Sequence, residues 1–426
     1  MAGSRIKTVK VRQVLDGNGR PVIEADIVTE SGHLGRAGAS TGTSVGANEA
    51  HVLRDKKPGI YNGLSVYQAI RIVETIIAPE IIGLDVLDQE TIDRTMIALD
   101  GTKNKTKLGG NAIYAVSVAA ARAASAMRGQ PLYLSMAKQS PSHIFAPAAN
   151  LINGGAYSDK TLDFQEFMII PYNIDDMAQG VRVIAEVFQR LGDVICKSGG
   201  KPQTGHSSGY GAPSDDPFEV MDMIAIAVAE LGYQKHVCYA LDCAGSGMFD
   251  RQEDAYRYRG RLVSRDELIS IIQNITKQYP VAFVEDALDE EDFHGHKIAA
   301  KSINALLLGD DLLCTNFDRA KKAVEMGSVH GMIFKPNQAG TLTEAFEAAA
   351  YMRDNGLLVV ASGRAGGVAD APEKEFAIAM GLHLSKNGAP RGTRSAGYNL
   401  LLRTAEELSL PMADIGKLSC FSHLVI

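Results

Sequence analysis

Charged residues follow a series of strand-like apolar runs in the second half of this chain. The run HVCYAL leads to Asp242, VAFV leads to Glu285 and ALLLG leads to Asp310. GMIF leads to Lys335 after the same 25-residue interval that separates Glu285 from Asp310, and GLHLS leads to Lys386. Carboxylate oxygens are the ligands that Mg²⁺ prefers, and a buried lysine beside a cation can become a general base because its pKa is lowered. The pattern therefore predicts a divalent-metal site that faces an amine base.

Each of these residues also has an ordinary structural explanation. Aspartate is favoured as a helix N-cap in the loop that follows a strand, and a buried lysine often pairs with a carboxylate. For one such residue alone we would favour that explanation. Three carboxylates at successive strand ends, with no His or Cys among them and with two lysines after them, favour the metal site and the base.

Three further polar residues are candidates for the same site. Arg364 lies in ASGRAGG after the run LLVVAS, where its planar fork can bind two oxygens of a phosphate or carboxylate. A loop arginine without a ligand explains this local sequence equally well. Gln165 and Glu166 lie in DFQEFMII, which has the pattern of a buried strand. Because buried polar groups need partners, we expect both of them to belong to the site.

The spacing of these residues indicates the elements that position them. Repetition of a strand and a helix at about this period is typical of a (β/α) barrel, in which catalytic groups lie at the carboxyl ends of the strands. Short apolar runs alternate with amphipathic helical patterns from APAANLINGG to the end of the chain. We therefore predict an α/β fold with a barrel over residues 141–426 that carries the site.

The first part of the chain has a different pattern. KTVKVRQVLD and PVIEADIVTE are β-rich runs joined by GNGR, which is a hairpin signal. The segment GHLGRAGASTGTSVGANEAHVLRD follows, and its length and Gly, Ser and Thr content are typical of a mobile or functional loop. Helical periodicity covers residues 63–99 and also NAIYAVSVAAARAASAMRG, which ends at Gly129 as a C-cap. We predict a small α+β domain over residues 1–140 that packs closely on the barrel.

Composition restricts the class of function. The chain has 426 residues, 46% of them hydrophobic and 22% charged, with a net charge of −7. No basic cluster of the kind that binds nucleic acid occurs, and no apolar run is long enough to cross a bilayer. The first residues lack the apolar core of a secretory signal, and the five scattered cysteines are typical of reduced thiols. We expect a cytoplasmic protein that binds neither nucleic acid nor a membrane.

Ten segments of the chain resemble, in order, the sequence blocks of the enolase family. They are VLDGNGRPVIEADIV, GASTG, LGGNAIYAVSVAAARAAS, NLINGG, QEFMI, LDCAGS, VEDALDEEDF, LGDDLLCTN, KPNQAGTLTE and NGAPRGTRSAGYNLLLR. The resemblance covers essentially the whole chain. It implies an enolase-type β/α barrel that departs from a regular eightfold repeat and is capped by the small α+β domain. It also implies a homodimer or a higher homo-oligomer.

The resemblance implies two magnesium ions. Asp242, Glu285 and Asp310 are the implied ligands of one tightly held Mg²⁺. Ser40, in the GASTG loop, is the implied ligand that helps to close over a second Mg²⁺ bound together with substrate. Two cations next to a substrate carboxylate would absorb the negative charge that develops when the proton alpha to it is removed.

The resemblance also implies roles for the remaining candidates. Lys335 is the implied base that removes a proton alpha to a carboxylate, which leads to a metal-stabilised ene-diolate. Lys386 would add positive charge at the same substrate oxygens, and Glu166 would help the leaving group to depart. Arg364 would hold the phosphate of the substrate, and Gln165 would also contact the substrate.

Four positions depart from the family's pattern, and they cluster on one half of the implied mechanism, opposite the metal carboxylates and the two lysines. Ser208, in GHSSGYGAP, takes the position of a glutamate in the family's GDEGG loop, and Tyr157 takes that of a histidine. Gly363 and Ala365 replace the histidine and the serine of the family's SHRSG block. Loss of a general acid typically costs about 10²–10⁴ in rate, so we expect ordinary dehydration of 2-phosphoglycerate to be impaired.

These departures lead to three hypotheses about function. We expect a diverged enolase-family lyase that acts on another small phosphorylated or phosphonate acid, with carboxyphosphonoenolpyruvate synthase as a precedent by resemblance. The alternative is a genuine phosphopyruvate hydratase in which Glu166, His206 or Asp159 serves as a rearranged acid. The second alternative is a non-catalytic binding protein with the same fold, although retention of the metal carboxylates and both lysines argues against it.

Overall fold

The structure is a computed structural model that describes residues 3–42, 46–205, 207–368 and 372–424. His206 and the central part of the Gly-, Ser- and Thr-rich segment, residues 43–45, lie outside these ranges. Among the described residues, no helix combines the length and the apolar character that a membrane span requires. All of the cysteines lie within the described ranges, and none of them forms a disulfide.

The chain begins with an antiparallel sheet that the described residues show as three strands. These are β1 (Ile6–Leu15), β2 (Pro21–Thr29) and β3 (Leu34–Gly38), paired in chain order. The hairpin predicted at GNGR is confirmed, since Leu15 pairs with Pro21.

A long alanine-rich helix packs on this sheet. It is α4 (Gly110–Arg128), and most of its side chains are buried. It approaches β3 closely because residue 35 is a glycine, at which a Cβ atom would lie 2.0 Å from the carbonyl oxygen of Ala119. The helix ends at Gly129, whose φ of 61° is in the left-handed region, and the predicted C-cap is therefore confirmed.

The helical prediction over residues 63–99 is correct at both ends and wrong in the middle. The helical segments are α1 (Tyr67–Ile72), a π-helical turn over Val73–Ile77, α2 (Ala78–Ile81) and α3 (Gln89–Asp100). Residues 82–88 are not helical because backbone groups of this segment bond to β1 instead. Ile6 N–H donates to the carbonyl of Leu84, and Gly83 N–H donates to the carbonyl of Ile6.

The rest of the chain alternates strands with helices. The strands are β4 (Ala146–Asn153), β5 (Glu166–Pro171), β6 (Tyr210–Gly211), β7 (Val237–Asp242), β8 (Phe249–Asp250), β9 (Ala255–Tyr258), β10 (Arg261–Val263), β11 (Val281–Glu285), β12 (Leu306–Gly309), β13 (Gly331–Phe334), β14 (Leu358–Ser362) and β15 (Leu384–Asn387). The helices are α5 (Leu132–Met136), α6 (Met177–Lys197), α7 (Pro217–Glu230), α8 (Arg265–Gln278), α9 (Phe293–Ser302), α10 (Phe317–Met326), α11 (Pro336–Ala339), α12 (Leu342–Asp354), α13 (Glu373–Ala379) and α14 (Ser395–Leu408).

Eight of these strands, as far as the chain is described, close into a barrel. Their order is β4, β5, β7 and then β11 to β15, and the pairing of β15 with β4 completes the circle. Strand β6 adds to β4 outside the circle, and β8 to β10 form a separate small sheet. The predicted α/β barrel is therefore confirmed, and its buried apolar strands form the core below the site.

Strand β5 runs in the opposite direction to its neighbours, whereas the other neighbouring barrel strands pair in parallel. Its first residue, Glu166, therefore pairs with Asn153 at the end of β4 and with Asp242 at the end of β7. This reversal is the predicted departure from a regular eightfold repeat. It places a residue that begins a strand beside residues that end strands.

Helix α3 and the loop that follows it contact the barrel helix α12. Lys105 Nζ lies 2.8 Å from Glu344 Oε1, and Thr343 N–H donates to Asp93 at 2.9 Å. The two parts are therefore packed closely, as the sequence predicts. The division of the chain at residue 140 stays a prediction, which limited proteolysis would test.

Candidate active site

The three predicted metal carboxylates and the two predicted lysines form one buried cluster. Lys386 Nζ lies 2.7 Å from Asp242 Oδ2 and 2.7 Å from Glu285 Oε2, and Lys335 Nζ contacts Asp310 Oδ2. These five residues are at most 7% exposed. Because they end or directly follow parallel strands, the barrel brings them to one mouth, as their spacing predicts.

The donor set of this cluster fits a hard divalent cation such as Mg²⁺. All of the ligand atoms are carboxylate oxygens, which is the preference of Mg²⁺. Glu285 Oε1 is buried, and it accepts no hydrogen bond within the described ranges. A buried carboxylate oxygen without a partner is costly, and a cation bound there would remove that cost. Asp242, Glu285 and Asp310 are therefore the residues that would hold the ion.

Two glutamine side chains orient this carboxylate cluster. Gln165 Nε2 donates to Asp242 Oδ2 at 3.0 Å, and Gln338 Nε2 donates to Asp310 Oδ1 at 2.9 Å. The sequence singles out Gln165 as a substrate ligand, but its amide is used on Asp242. A substrate contact for Gln165 stays a prediction. Gln338 was missed, although it lies in the family-like block KPNQAGTLTE.

A second acidic group lies beside the cluster. Oxygens of Asp286, Asp310 and Asp311 lie within 4.8 Å of one another. Asp286, however, accepts the backbone N–H groups of Asp310 at 2.9 Å and Asp311 at 2.7 Å. Asp286 therefore shapes the turn after β12 and so fixes the direction in which Asp310 points.

The carboxylates around the two lysines oppose the pKa lowering that we expect beside a cation, and that expectation stays a prediction. Burial acts to lower the pKa of Lys335, but the charges of Asp310 and Glu285 outweigh burial, and the pKa lies above its ordinary value. Burial also acts to lower the pKa of Lys386, and there Asp242 and Glu166 more than compensate. Both amines are therefore held in the protonated state by the carboxylates around them.

Glu166 faces this cluster from the start of β5. Its Oε2 lies 2.6 Å from Lys386 Nζ, and burial raises the pKa of Glu166 while the charge of Lys386 and a hydrogen bond from Ser207 act to lower it. Glu166 thus lies opposite Lys335 across the mouth of the barrel. It is the only one of the three proposed acids that lines the cavity within the described part of the chain.

Ser207, and not Ser208, lines the cavity beside Glu166, and the assignment of the altered acid position to Ser208 stays a prediction. Ser207 is 5% exposed and lines the cavity beside Glu166. Ser208 has a φ of 68° in a tight turn, where its N–H donates to the carbonyl of Gly205 at 3.2 Å. The turn directs the two adjacent side chains differently, which the sequence alone does not reveal.

The other two proposed acids have different outcomes. Asp159 is exposed, and hydrogen bonds from Thr161 hold its pKa below the ordinary value. It does not line the catalytic cavity in the described structure, and it is therefore a poor proton donor there. His206 lies outside the described residues.

The remaining altered positions line one cavity at the barrel mouth. Tyr157 belongs to a short 3₁₀ turn after β4 and is 7% exposed. Gly363 and Ala365 follow β14 on either side of Arg364. Lys335 and Lys386 line the same cavity, so the altered residues face the predicted base.

The guanidinium of Arg364 forms an ion pair with a carboxylate of the N-terminal part. Its Nη1 donates to Glu49 Oε2 at 2.8 Å, and its Nη2 donates to Glu49 Oε1 at 3.0 Å. The fork binds two oxygens as predicted, but the oxygens belong to this chain. Glu49 was missed, although an acidic residue at the end of a Gly-rich loop was the available signal. A phosphate contact for Arg364 stays a prediction.

Ser40 is buried near this arginine. Its Oγ accepts the N–H of Val368 at 3.4 Å, and its carbonyl accepts from Asn337 Nδ2 at 3.3 Å. These contacts fix the start of the loop. They do not join Ser40 to the carboxylate cluster, and its role at a second metal stays a prediction.

Two cations on the altered side were not singled out from the sequence. Lys374 and Arg394 line the cavity. Burial lowers the pKa of Lys374 to about 8, with Arg394 adding to this effect and Glu373 opposing it. Arg394 Nη2 donates to the carbonyls of Arg364 at 2.7 Å and Ala365 at 2.6 Å. Arg394 lies in the family-like block NGAPRGTRSAGYNLLLR, which was the available signal, whereas Lys374 lies in none of the quoted blocks.

A barrel with a carboxylate cluster and two lysines at its mouth defines a class of metal-dependent β/α-barrel lyases. The family model "Enolase, N-terminal domain" matches residues 6–136, and "Enolase, C-terminal TIM barrel domain" matches residues 142–418. An enolase of Methanopyrus kandleri is 42% identical over 412 residues, which cover 95% of this chain and 96% of that relative. Enolases of Methanococcus maripaludis and Methanocaldococcus jannaschii are 40% and 38% identical over 409 residues, again with 95% and 96% coverage. The chain belongs to the enolase family and is an enzyme of its hydro-lyase class.

These relatives bear on the three hypotheses. All of them are named enolase, which favours the genuine hydratase over the expected diverged enzyme. A phosphonate substrate and the likeness to carboxyphosphonoenolpyruvate synthase gain no support from them. Membership of an enzyme family at this identity also counts against the non-catalytic hypothesis. Magnesium dependence is general in the family and agrees with the donor set described above.

Proposed function

We propose that the chain is a phosphopyruvate hydratase, which removes water from 2-phosphoglycerate to form phosphoenolpyruvate. The observation that carries the proposal is the convergence of Asp242, Glu285, Asp310, Lys335 and Lys386 in one buried mouth with Glu166 opposite. The names and the extent of the similar enolases support the same reaction.

Lys335 is the proposed base at carbon 2. Its amine must be neutral to accept the proton, and its contact with Asp310 opposes this. When that contact is lost, burial dominates and lowers the pKa of Lys335 toward neutrality. One Mg²⁺ held by Asp242, Glu285 and Asp310, and a second near Ser40, would supply positive charge for the substrate carboxylate.

Lys386 is the proposed partner of the substrate carboxylate. Removal of the proton at carbon 2 places additional negative charge on that group, and a pre-positioned ammonium stabilises charge that develops in the transition state. Lys386 Nζ is fixed by three carboxylates, including Glu166 Oε2 at 2.6 Å. It therefore needs little reorganisation during the reaction.

Glu166 is the proposed proton donor for the leaving hydroxyl at carbon 3. The bond between carbon 3 and the hydroxyl breaks, the double bond to carbon 2 forms, and water departs with the proton of Glu166. A serine hydroxyl is too weak an acid to donate this proton. The proposed role of Ser207 is instead to orient Glu166 through its hydrogen bond. We expect a slower departure step than two acidic groups would give.

Arg364 and Gln165 are the proposed substrate ligands, with Arg364 binding the phosphate when Glu49 releases its fork. We further propose that the enzyme is a cytoplasmic homodimer. The reduced cysteines support the compartment, and the family resemblance supports the assembly. Size-exclusion chromatography with light scattering would test the assembly directly.

The test measures two steps of the same reaction. Purified protein with Mg²⁺ and 2-phosphoglycerate is followed for phosphoenolpyruvate formation by absorbance and for exchange of the carbon 2 proton in D₂O by NMR. We expect both products, and Lys335→Met should abolish both. Exchange without phosphoenolpyruvate at any enzyme concentration would refute the proposed hydratase.

A further inference from the structure

We infer that Lys374 and Arg394 complete the phosphate-binding subsite beside Arg364, in place of the histidine and serine that Gly363 and Ala365 replace. The inference rests on the proposed function, because it names groups that hold the phosphate monoester of that substrate. Both cations line the cavity that also contains Lys335.

Lys374 is a cation without a counterion at hydrogen-bonding distance among the residues that the structure describes. Lys335, Lys386 and Arg364, which share the cavity, each contact a carboxylate at hydrogen-bonding distance. Lys374, by contrast, has no ion pair and no hydrogen bond to any residue that the structure describes. A partly buried ammonium without a partner is unfavourable, and its pKa of about 8 reflects that cost. A bound anion would remove it.

Arg394 offers a second, partly unused donor group. Its Nη2 is occupied by two backbone carbonyls. Its Nη1 makes no hydrogen bond among the described residues, and it lies 3.9 Å from the position that a Cβ atom on Gly363 would take. A side chain at residue 363 would extend into the space beside this nitrogen. The glycine therefore leaves the guanidinium open to the cavity.

A second glycine makes room for Lys374. A Cβ atom on Gly397 would lie 2.3 Å from Lys374 Cε and 2.7 Å from its Nζ, which is closer than non-bonded atoms approach. Any larger residue at position 397 would displace the ammonium. Each cation therefore lies next to a glycine. Arg394 lies beside the space that Gly363 leaves, and Lys374 occupies the space that Gly397 leaves.

The chemistry of the subsite fits a phosphate monoester. Arginine binds two phosphate oxygens through its fork and lysine binds as a point charge, and two cations match a dianion. Glu373 is the opposing charge at this wall, with Oε2 3.9 Å from the same Cβ position on Gly363. It is 3% exposed, and its Oε1 has no partner within the described ranges. Burial raises the pKa of Glu373, which reduces its repulsion of an anion.

The first experiment measures binding and needs no turnover. Inorganic phosphate is titrated into the Mg²⁺-loaded enzyme by calorimetry, for the wild type, Lys374→Met, Lys374→Gln and the exposed control Lys277→Met. We expect both Lys374 variants to bind phosphate at least about tenfold more weakly, which corresponds to about 1.4 kcal/mol, and the control to bind like the wild type. Equal phosphate affinity in the wild type and both Lys374 variants, or an equal loss in Lys277→Met, would overturn the inference.

The second experiment distinguishes the loss of a phosphate contact from a general loss of catalytic activity. If the phosphate is held equally in the ground state and the transition state, Lys374→Gln should raise KM for 2-phosphoglycerate about tenfold and leave kcat within about twofold. A fall in kcat at unchanged KM would contradict the assignment. Because phosphate titration does not depend on phosphoenolpyruvate formation, failure of the subsite and failure of the proposed hydratase give different results.

Discussion

The pKa values of buried lysines are shifted in opposite directions in the two halves of one cavity. On the base side, which comprises Asp242, Glu285, Asp310, Lys335 and Lys386, surrounding carboxylates hold the pKa of both lysines above the ordinary value. On the leaving-group side, which comprises Tyr157, Glu166, Ser207, Gly363, Ala365, Lys374 and Arg394, burial lowers the pKa of Lys374 to about 8. The base side is a closed network of opposite charges, whereas Lys374 and Arg394 lack carboxylate partners in the described structure.

This difference follows from the elements that carry each half. Every member of the base side lies at the carboxyl end of a barrel strand or directly after it, so barrel closure fixes its position. Apart from Glu166, which begins β5, and Lys374, which lies in the first turn of α13, the leaving-group side lies in connections between strands and helices, where sequence changes leave the barrel hydrogen bonds intact. We therefore predict that substitutions on the base side abolish the reaction, whereas substitutions on the leaving-group side change its rate or its affinity for substrate.

The largest expected effect comes from the base. Lys335→Met should lower the rate of carbon 2 proton exchange by about 10²–10⁴, since a positioned base contributes that factor. It also leaves Asp310 buried without its lysine, which typically destabilises a fold by about 3–5 kcal/mol. NMR exchange below the unfolding temperature measures the first effect. The exposed variant Lys321→Met should exchange like the wild type, and equal loss there would contradict the assignment.

The second expected effect concerns the metal. At 100 times its dissociation constant, a bound Mg²⁺ should raise the free energy of unfolding by about 2.7 kcal/mol. Glu285→Gln should remove most of this increase, because the unpartnered Oε1 is the oxygen that a cation would use. Denaturant unfolding with and without Mg²⁺ measures it. An unchanged Mg²⁺ effect in Glu285→Gln, or a loss in the exposed Glu325→Gln, would place the ion elsewhere.

The third expected effect concerns the acid position and distinguishes two adjacent serines. Ser207→Glu should raise phosphoenolpyruvate formation by about tenfold to 10², because a second carboxylate beside Glu166 raises the pKa of one of the pair. Proton exchange at carbon 2 should stay unchanged. Ser208→Glu is the matched control and should alter neither rate. A gain in the control instead would support the assignment to Ser208.

The smallest expected effect is a pH dependence of stability. The pKa of Lys374 is about 8 in the fold and 10.5 ordinarily, so between these values the unfolded chain binds more protons at this residue than the folded chain. Its contribution to the free energy of unfolding therefore rises with pH across that window. Denaturant unfolding from pH 7.5 to 10.5 should show a steeper rise for the wild type than for Lys374→Met. Parallel curves would contradict the lowered pKa.

The sequence predicted the base side well because each residue carries its own signal. An apolar run followed by a charge identifies both the strand and its catalytic end, as at Asp242 and Lys335. Ser207 and Lys374 carry no such signal, since a turn decides which serine enters the cavity and helix packing decides where a lysine points. The effect of Asp310 and Glu285 on the pKa of Lys335 was not anticipated, because it depends on distances that no spacing reveals.

The reversal of β5 has a consequence for how this barrel can change. Because β5 returns to the far end, where Pro171 pairs with Val237, helix α6 starts there and brings residues 198–205 and 207–216 to the mouth. Two successive connections, which include residues 154–165 and these two ranges, therefore lie at the same quarter of the rim. In the described structure, only the short strand β6 joins the second of them to a barrel strand, so new specificity can arise in this quarter while the other three quarters remain fixed.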